Sequence, residues 1–264
     1  MATQKIVIDG VGHTYVPPRG QSVRALDGIT AEIAKDEFVT IVGPSGCGKS
    51  TLIYLVGGFL PLGEGRIEVD NKPVSSPSPD RGIVFQHFAL FPWKTVRQNV
   101  LYGLEQQKVD PAQRIELAQK FIDLVKLTGF EDAFPSQLSG GMKQRVAIAR
   151  TLVTDPDILL MDEPFGALDA QTRAILQEEL LEIWSSRRKT VMFVTHDVNE
   201  AVLLSDRVIV MTARPGRVKA VIDIDLPRPR TLQVTRGQQF AGHCQEIWEL
   251  VREEAQQASG IASG

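Results

Sequence analysis

Hydrophobic and polar positions divide this chain into segments of different period. Near the start, Lys5-Ile6-Val7-Ile8 and residues 26–33 carry short apolar or alternating patterns, with Pro17-Pro18-Arg19-Gly20 as the turn between them. They predict an antiparallel entry sheet, which Arg66-Ile67-Glu68-Val69 joins. Four later segments are near-continuous apolar runs: Gly82-Ile83-Val84-Phe85, Ile158-Leu159-Leu160-Met161, Val191-Met192-Phe193-Val194 and Val208-Ile209-Val210-Met211. Strands apolar on both faces belong in a parallel sheet covered by helices. Helical stretches alternate with several of them, as an α/β architecture requires.

Between residues 86 and 156 the pattern changes. Asp110-Pro111 reads as an N-cap followed by proline at the first helical position. Ile115, Ala118, Ile122 and Val125 then recur at helical spacing, and Gly129 suits the C-terminal cap. No clear parallel strand interrupts this stretch, which predicts a mostly helical insertion. After Pro227-Arg228-Pro229, a polar helix-favouring segment runs over 237–257, followed by a Gly/Ser/Ala tail expected to fray.

Composition narrows the class. The chain has 264 residues, 43% of them hydrophobic, and a formal net charge of −3, ordinary values for a soluble globular protein. No dense basic run argues for nucleic acid. Arg187-Arg188-Lys189 and Arg228-Pro229-Arg230 read as solvated surface. No apolar run reaches the roughly 18–20 residues that cross a bilayer, and Met1-Ala2-Thr3-Gln4-Lys5 lacks a signal-peptide core, so the expectation is a cytoplasmic protein. Two cysteines, Cys47 and Cys244, lack metal-ligand spacing and are expected to be free thiols.

The first chemical signal is Gly43-Pro44-Ser45-Gly46-Cys47-Gly48-Lys49-Ser50, with the P-loop spacing G-x-x-x-x-G-K-S. An apolar run, Glu37-Phe38-Val39-Thr40-Ile41-Val42, precedes it and reads as a strand. Ser50-Thr51-Leu52-Ile53-Tyr54 follows as the start of a helix, so Thr51 falls within the same candidate nucleotide site. The glycines let several N–H groups converge on one anion, and the helix N-terminus adds partial positive charge. Lys49 supplies a full charge for terminal phosphates, and the Ser50 hydroxyl can ligate Mg²⁺.

The second signal is Asp162-Glu163 at the end of the apolar run beginning at Ile158. A carboxylate there fits the Mg²⁺ partner of P-loop NTPases; Asp162 takes that role through water. Glu163, one residue on, points elsewhere and suits a general base for an attacking water. The third signal is Leu138-Ser139-Gly140-Gly141-Met142-Lys143-Gln144-Arg145 opening another helix. A Ser-Gly-Gly helix start is a second anion site, or else an ordinary serine N-cap with a glycine turn.

Together these residues resemble the ATPase subunits of ABC transporters. The signature Leu138-Ser139-Gly140-Gly141, the phosphate loop and Asp162-Glu163 stand in that family's order. So do Gln86 at the Q-loop, Ala167-Leu168-Asp169 at the D-loop and His196 at the switch position. The resemblance spans about residues 5–215. It implies a P-loop NTPase of RecA-like type: a mostly parallel α/β core, an antiparallel β subdomain and a helical insertion. One domain would cover 1–230, with the helical subdomain at about 87–155. Residues 231–264 would form a short helical tail with no separate regulatory domain.

The resemblance also implies a mechanism. Two copies, or this chain and a homologous ATPase subunit, face each other head to tail. Each ATP, with Mg²⁺, lies between one copy's phosphate loop and the other's Ser139 helix, with Asp169 near it. Gln86 contacts Mg²⁺ and the attacking water, and His196 bonds the γ-phosphate. Tyr15 matches the adenine-stacking position, a plain packing role being the other reading, and Pro17-Pro18-Arg19-Gly20 lengthens the turn beside it. His13, His87 and His243 show no metal spacing, and Asp197-x-x-Glu200 reads as a helix capping box.

Phe91-Pro92-Trp93, Pro164-Phe165-Gly166-Ala167-Leu168-Asp169, Met142 and Arg214-Pro215-Gly216-Arg217-Val218 resemble the importer ATPases for taurine, alkanesulfonate, nitrate and bicarbonate. That subgroup works with a two-copy membrane permease and an extracytoplasmic solute-binding protein. It implies a peripheral location on the cytoplasmic face of the inner membrane and no nucleic-acid partner. The stretch Phe88-Ala89-Leu90-Phe91-Pro92-Trp93 has two readings, a groove for a permease helix and internal packing of the helical subdomain. The alternatives are an ABC-type ATPase of another transporter class, a soluble ABC-type ATPase without a permease, and a nucleotide-gated module with little hydrolysis.

Overall fold

The computed structural model describes residues 3–258. In chain order its strands are β1 (Gln4–Tyr15), β2 (Val23–Ala34), β3 (Phe38–Val42), β4 (Glu64–Val69), β5 (Lys72–Pro73), β6 (Arg81–Val84), β7 (Ile158–Asp162), β8 (Thr190–Val194), β9 (Arg207–Met211) and β10 (Val218–Asp223). The α-helices are α1 (Lys49–Val56), α2 (Val96–Gln106), α3 (Pro111–Leu124), α4 (Gly140–Leu152), α5 (Ala170–Ser186), α6 (Val198–Leu204) and α7 (Gln238–Ala258).

β1, β2, β4 and β5 form the antiparallel sheet, in the order β2-β1-β4-β5. The second sheet has the order β10-β9-β3-β8-β7-β6. Its β9–β3, β3–β8, β8–β7 and β7–β6 pairs are parallel, and β10 joins antiparallel at the edge. Every residue of β3, β7 and β8 is buried, which is why these segments read as unbroken apolar runs. One core cluster joins Ile6, Ile8, Ile29 and Ile33 of the first sheet to α1 and to Ile41, Leu160 and Met192 of the second. The other core lies under α5 and α6 and continues into α2–α4.

This strand order positions the site. β3, β8, β7 and β6 run side by side in one direction, so their C-terminal ends share one edge. The phosphate loop, His196, Asp162-Glu163 and Gln86 all follow those ends. Ligands of open α/β sheets bind at that edge.

Several local expectations are corrected. α3 starts as expected, with Asp110 accepting from Ala112 N and Gln113 N, but it ends before Gly129. Val125 is its cap, Lys126 takes a φ of 56°, and Leu127 N and Lys126 N donate to Ile122 O and Asp123 O. Those bonds make a Schellman motif, with Leu127 and Ile122 both buried; burying Leu127 overrides the glycine signal. On the same helix Ala118 and Ile122 are buried and Ile115 is exposed.

Asp197 caps α6 through Asn199 N and Glu200 N, yet Glu200 does not close a capping box. It is buried and accepts from Thr195 Oγ1 (2.6 Å) and Gln177 Nε2 (3.0 Å), and burial raises its pKa. The pair Arg228 and Arg230 is not solvated surface. Arg228 stacks on Trp184, 4.1 Å from its centroid, and pairs with Asp206. Arg230 is 5% exposed and donates to the carbonyls of Val202, Leu203, Ser205, Ile224 and Leu226, so it satisfies orphan acceptors at the end of α6.

The C-terminal helix packs firmly. Phe240 and Ile247 of α7 are buried, and Glu254 accepts from Ala213 N and pairs with Lys219. The tail from 259 onward, like Met1 and Ala2, lies outside the described residues.

Candidate nucleotide-binding site

The loop between β3 and α1 turns at Gly46 and Gly48, with φ of 75° and 105°. Neither conformation suits a side chain. At Gly48 a Cβ would also stand 2.6 Å from Leu26 Cδ2. Gly48 caps α1 without any side-chain acceptor, so the first N–H groups of the helix are left for an anion. Lys49 is 5% exposed and folds back over its own loop, donating to Gly43 O (2.9 Å) and Pro44 O (3.1 Å). Cys47 is buried, and burial pushes its thiol pKa up, so it is an inert packing residue.

Ser50 Oγ donates to Asp162 Oδ1 at 2.7 Å, and Tyr54 donates to Asp162 Oδ2 at 2.8 Å. Asp162 is 1% exposed. Burial and this carboxylate raise the Tyr54 pKa, so its hydroxyl stays a donor. Glu163 takes a φ of 45° and donates its N–H to Val194 O, which turns its side chain away from that of Asp162. Its Oε2 accepts from Gln86 Nε2 at 3.2 Å and lies 3.2 Å from His196 Nδ1.

A cavity of ≈ 560 Å³ lies at this edge, and Tyr15, Ser45, Gly46, Gly48, Lys49, Ser50, Thr51, Gln86 and Glu163 line it. Tyr15 is 42% exposed, its hydroxyl 3.1 Å from Thr51 Oγ1 and its ring edge-on to His13. The long turn after Tyr15 therefore leaves the ring at the cavity wall. The Ser50 hydroxyl and the Gln86 amide line the cavity, and behind Ser50 lies the buried Asp162 carboxylate with no cationic partner among the described residues. That donor set fits a hard divalent cation held jointly with phosphates.

Ser139, Gly140, Gly141 and Asp169 stand apart from this cavity. Ser139 is exposed and caps α4, accepting from Met142 N. A Cβ on Gly141 would meet Thr172 Cγ2 at 2.5 Å, and one on Gly140 would meet Leu168 Cδ2 at 3.4 Å, so the signature turn packs on the start of α5. Asp169 caps α5, and the Thr172 and Gln171 bonds hold its pKa below the usual carboxylate range.

Arg214 was not singled out by sequence, although its loop was. It lines the cavity and donates to Gly46 O at 3.2 Å. Gly216 N bonds Ala25 O, Asp27 N bonds Gly216 O and Glu254 holds Ala213 N, which pin that loop over the phosphate loop. Tyr54 joins the site through Asp162; its spacing of four residues from Ser50 on one helix is the sequence signal for this.

A second, smaller cavity of ≈ 290 Å³ is lined by His87, Phe88, Leu90, Pro92, Pro135, Ser136 and Lys143. Phe91 packs inward against Tyr102, 4.6 Å between centroids, while Trp93 is 69% exposed. Residues 88–93 thus divide between internal packing and an open groove.

The ABC transporter family profile matches residues 26–166. An uncharacterized ABC transporter ATP-binding protein of Methanocaldococcus jannaschii is 60% identical over 80% of this chain and 79% of its own. The nitrate import ATP-binding protein NrtD of Synechocystis is 45% identical over 97% of this chain and 98% of its own. The aliphatic sulfonates import ATP-binding protein SsuB of Bacillus cereus is also 45% identical, over 86% and 88%. Among solved structures, a dimeric ATP-binding cassette in a post-hydrolysis state with ADP and phosphate superposes with a TM-score of 0.74. It is 32% identical and covers 84% of this chain and 100% of that one. The chain belongs to the ABC transporter family, among its ATP-binding subunits.

Proposed function

We propose that this chain is the ATP-hydrolysing subunit of an importer, working as a pair with each ATP held between two copies. The carrying observation is the division of its anion-binding parts. The phosphate loop, Gln86 and Glu163 line one cavity, with His196 against Glu163, while the Ser139 helix start lies exposed elsewhere. A second copy placed head to tail would supply Ser139, Gly140, Gly141 and Asp169 to the first copy's nucleotide. The solved relative was found as a dimer with hydrolysis products, which supports this arrangement.

Within the cavity, Tyr15 stacks on adenine, residues 43–51 hold the phosphates and Lys49 leaves its own carbonyls for the terminal phosphates. Ser50, Asp162 and Gln86 would hold Mg²⁺, which supplies charge neutralisation for those phosphates. Glu163 Oε2 accepts a proton from the attacking water, Gln86 orients that water and His196 donates to the γ-phosphate. The groove beside Phe88, Leu90 and Pro92 receives a helix of the permease, which keeps the chain on the cytoplasmic face of the membrane. No helix among the described residues is long and apolar enough to cross a membrane.

Relatives named for nitrate and for sulfonate import are equally similar, at 45% identity. The cargo is therefore a small oxyanion-type solute chosen by the permease and a solute-binding protein. Reconstitution with both partners tests this: solutes of the nitrate, sulfonate and bicarbonate class should stimulate ATP hydrolysis. Hydrolysis indifferent to the permease would overturn the transport role.

A further inference from the structure

Asp162 is held from both sides by one helix. Ser50 and Tyr54 sit four residues apart on α1, so their side chains rise from the same face, one turn apart. Each hydroxyl takes one carboxylate oxygen: Ser50 on Oδ1 at 2.7 Å, Tyr54 on Oδ2 at 2.8 Å. The Tyr54 ring is in turn held against Phe85, with centroids 6.1 Å apart, and Phe85 packs on Phe59 at 5.9 Å. Phe85 immediately precedes Gln86, which lines the cavity.

We propose that Tyr54 is a positioning residue for the divalent cation of the nucleotide site, acting through Asp162; this rests on the reading of that site as one for ATP and Mg²⁺. The reason is geometric. With its oxygens unheld, a buried carboxylate rotates about its terminal torsion and presents either oxygen. Tyr54 commits Oδ2, so Oδ1 is the oxygen that faces Ser50, and Ser50 lines the cavity. When the Ser50 oxygen serves as a ligand through a lone pair, its O–H still donates to Oδ1, and Tyr54, bonded to Oδ2, fixes the carboxylate plane from the other side. Outer partners of this kind orient metal ligands, and their loss costs about 10- to 100-fold in metal affinity.

The experiment uses the full chain and Tyr54→Phe, which keeps the ring and removes the hydroxyl. Mn²⁺ is titrated in the presence of ATP and followed by electron paramagnetic resonance, and ATP affinity is measured separately in excess chelator. The expected result is a loss of about 10-fold or more in Mn²⁺ affinity, with metal-free ATP affinity and the melting temperature unchanged. Tyr54→Leu, which removes the ring too, separates packing from positioning. Equal Mn²⁺ affinity in the parent and Tyr54→Phe, with a loss only in Tyr54→Leu, would overturn the proposal. A parent chain that binds ATP but recruits no Mn²⁺ would instead sink the metal reading beneath it.

Discussion

Glu163 Oε2 lies 3.2 Å from His196 Nδ1 and accepts from Gln86 Nε2 at the same distance. These three side chains follow the ends of three adjacent parallel strands, β7, β8 and β6, so the sheet itself sets their spacing. The Glu163 φ of 45° turns this carboxylate toward Gln86 and His196 while its neighbour Asp162 faces Ser50 and Tyr54. Two consecutive acids thereby face different partners, Asp162 the hydroxyls of Ser50 and Tyr54 and Glu163 the side chains of Gln86 and His196.

Glu163→Gln keeps the size of the side chain and its contact with Gln86 but cannot take a proton. Steady-state hydrolysis should fall by about 10²- to 10⁴-fold, while ATP is still bound. Turnover close to that of the parent would refute the base assignment.

Lys49→Ala removes the charge assigned to the terminal phosphates in the proposed function and also two bonds that shape the loop, to Gly43 O and Pro44 O. Calorimetry should show ATP affinity reduced roughly 10- to 100-fold, the worth of a charge-assisted contact. Unchanged affinity would count against the loop assignment.

Much of this site was legible because its chemistry lies in short, contiguous motifs at strand ends. The phosphate loop, Asp162-Glu163 and the apolar runs before them need only local spacing to be read. Arg214 was not legible as a cavity residue, since its contact with Gly46 joins positions 168 apart in sequence. β10 carries an alternation at Val218, Ala220 and Ile222, but Val221 on the opposite face is half exposed and only Ile222 is buried, so the pattern is weak. Arg230 was misread because charge argues for solvent until the carbonyls at the end of α6 are known to surround it.

Arg230→Ala should destabilise the fold by about 3 kcal/mol, because it leaves buried carbonyls without donors. Arg230→Lys should recover only part of this, since an ammonium cannot fork to carbonyls on two sides. Urea unfolding of the three chains checks the order.

Asp27 pairs with Arg217 first and Arg24 second, which hold its pKa below the ordinary 3.8. The folded value is the lower one, so the stability it contributes is present above the unfolded value and is lost as pH falls through the folded value. Asp27→Asn should therefore unfold at lower urea than the parent at pH 7. The gap should close as the pH drops below 3.8; a gap independent of pH would show that charge is not its source.

In the proposed pair, the cavity at the phosphate loop is half of a site completed by Ser139 of a second copy. Sedimentation velocity of Glu163→Gln, with and without ATP and Mg²⁺, tests it most directly. The expected result is a monomer without nucleotide and a dimer with it, the dimer being lost again when Ser139→Arg is added. A chain that binds ATP and stays monomeric at every concentration would contradict it.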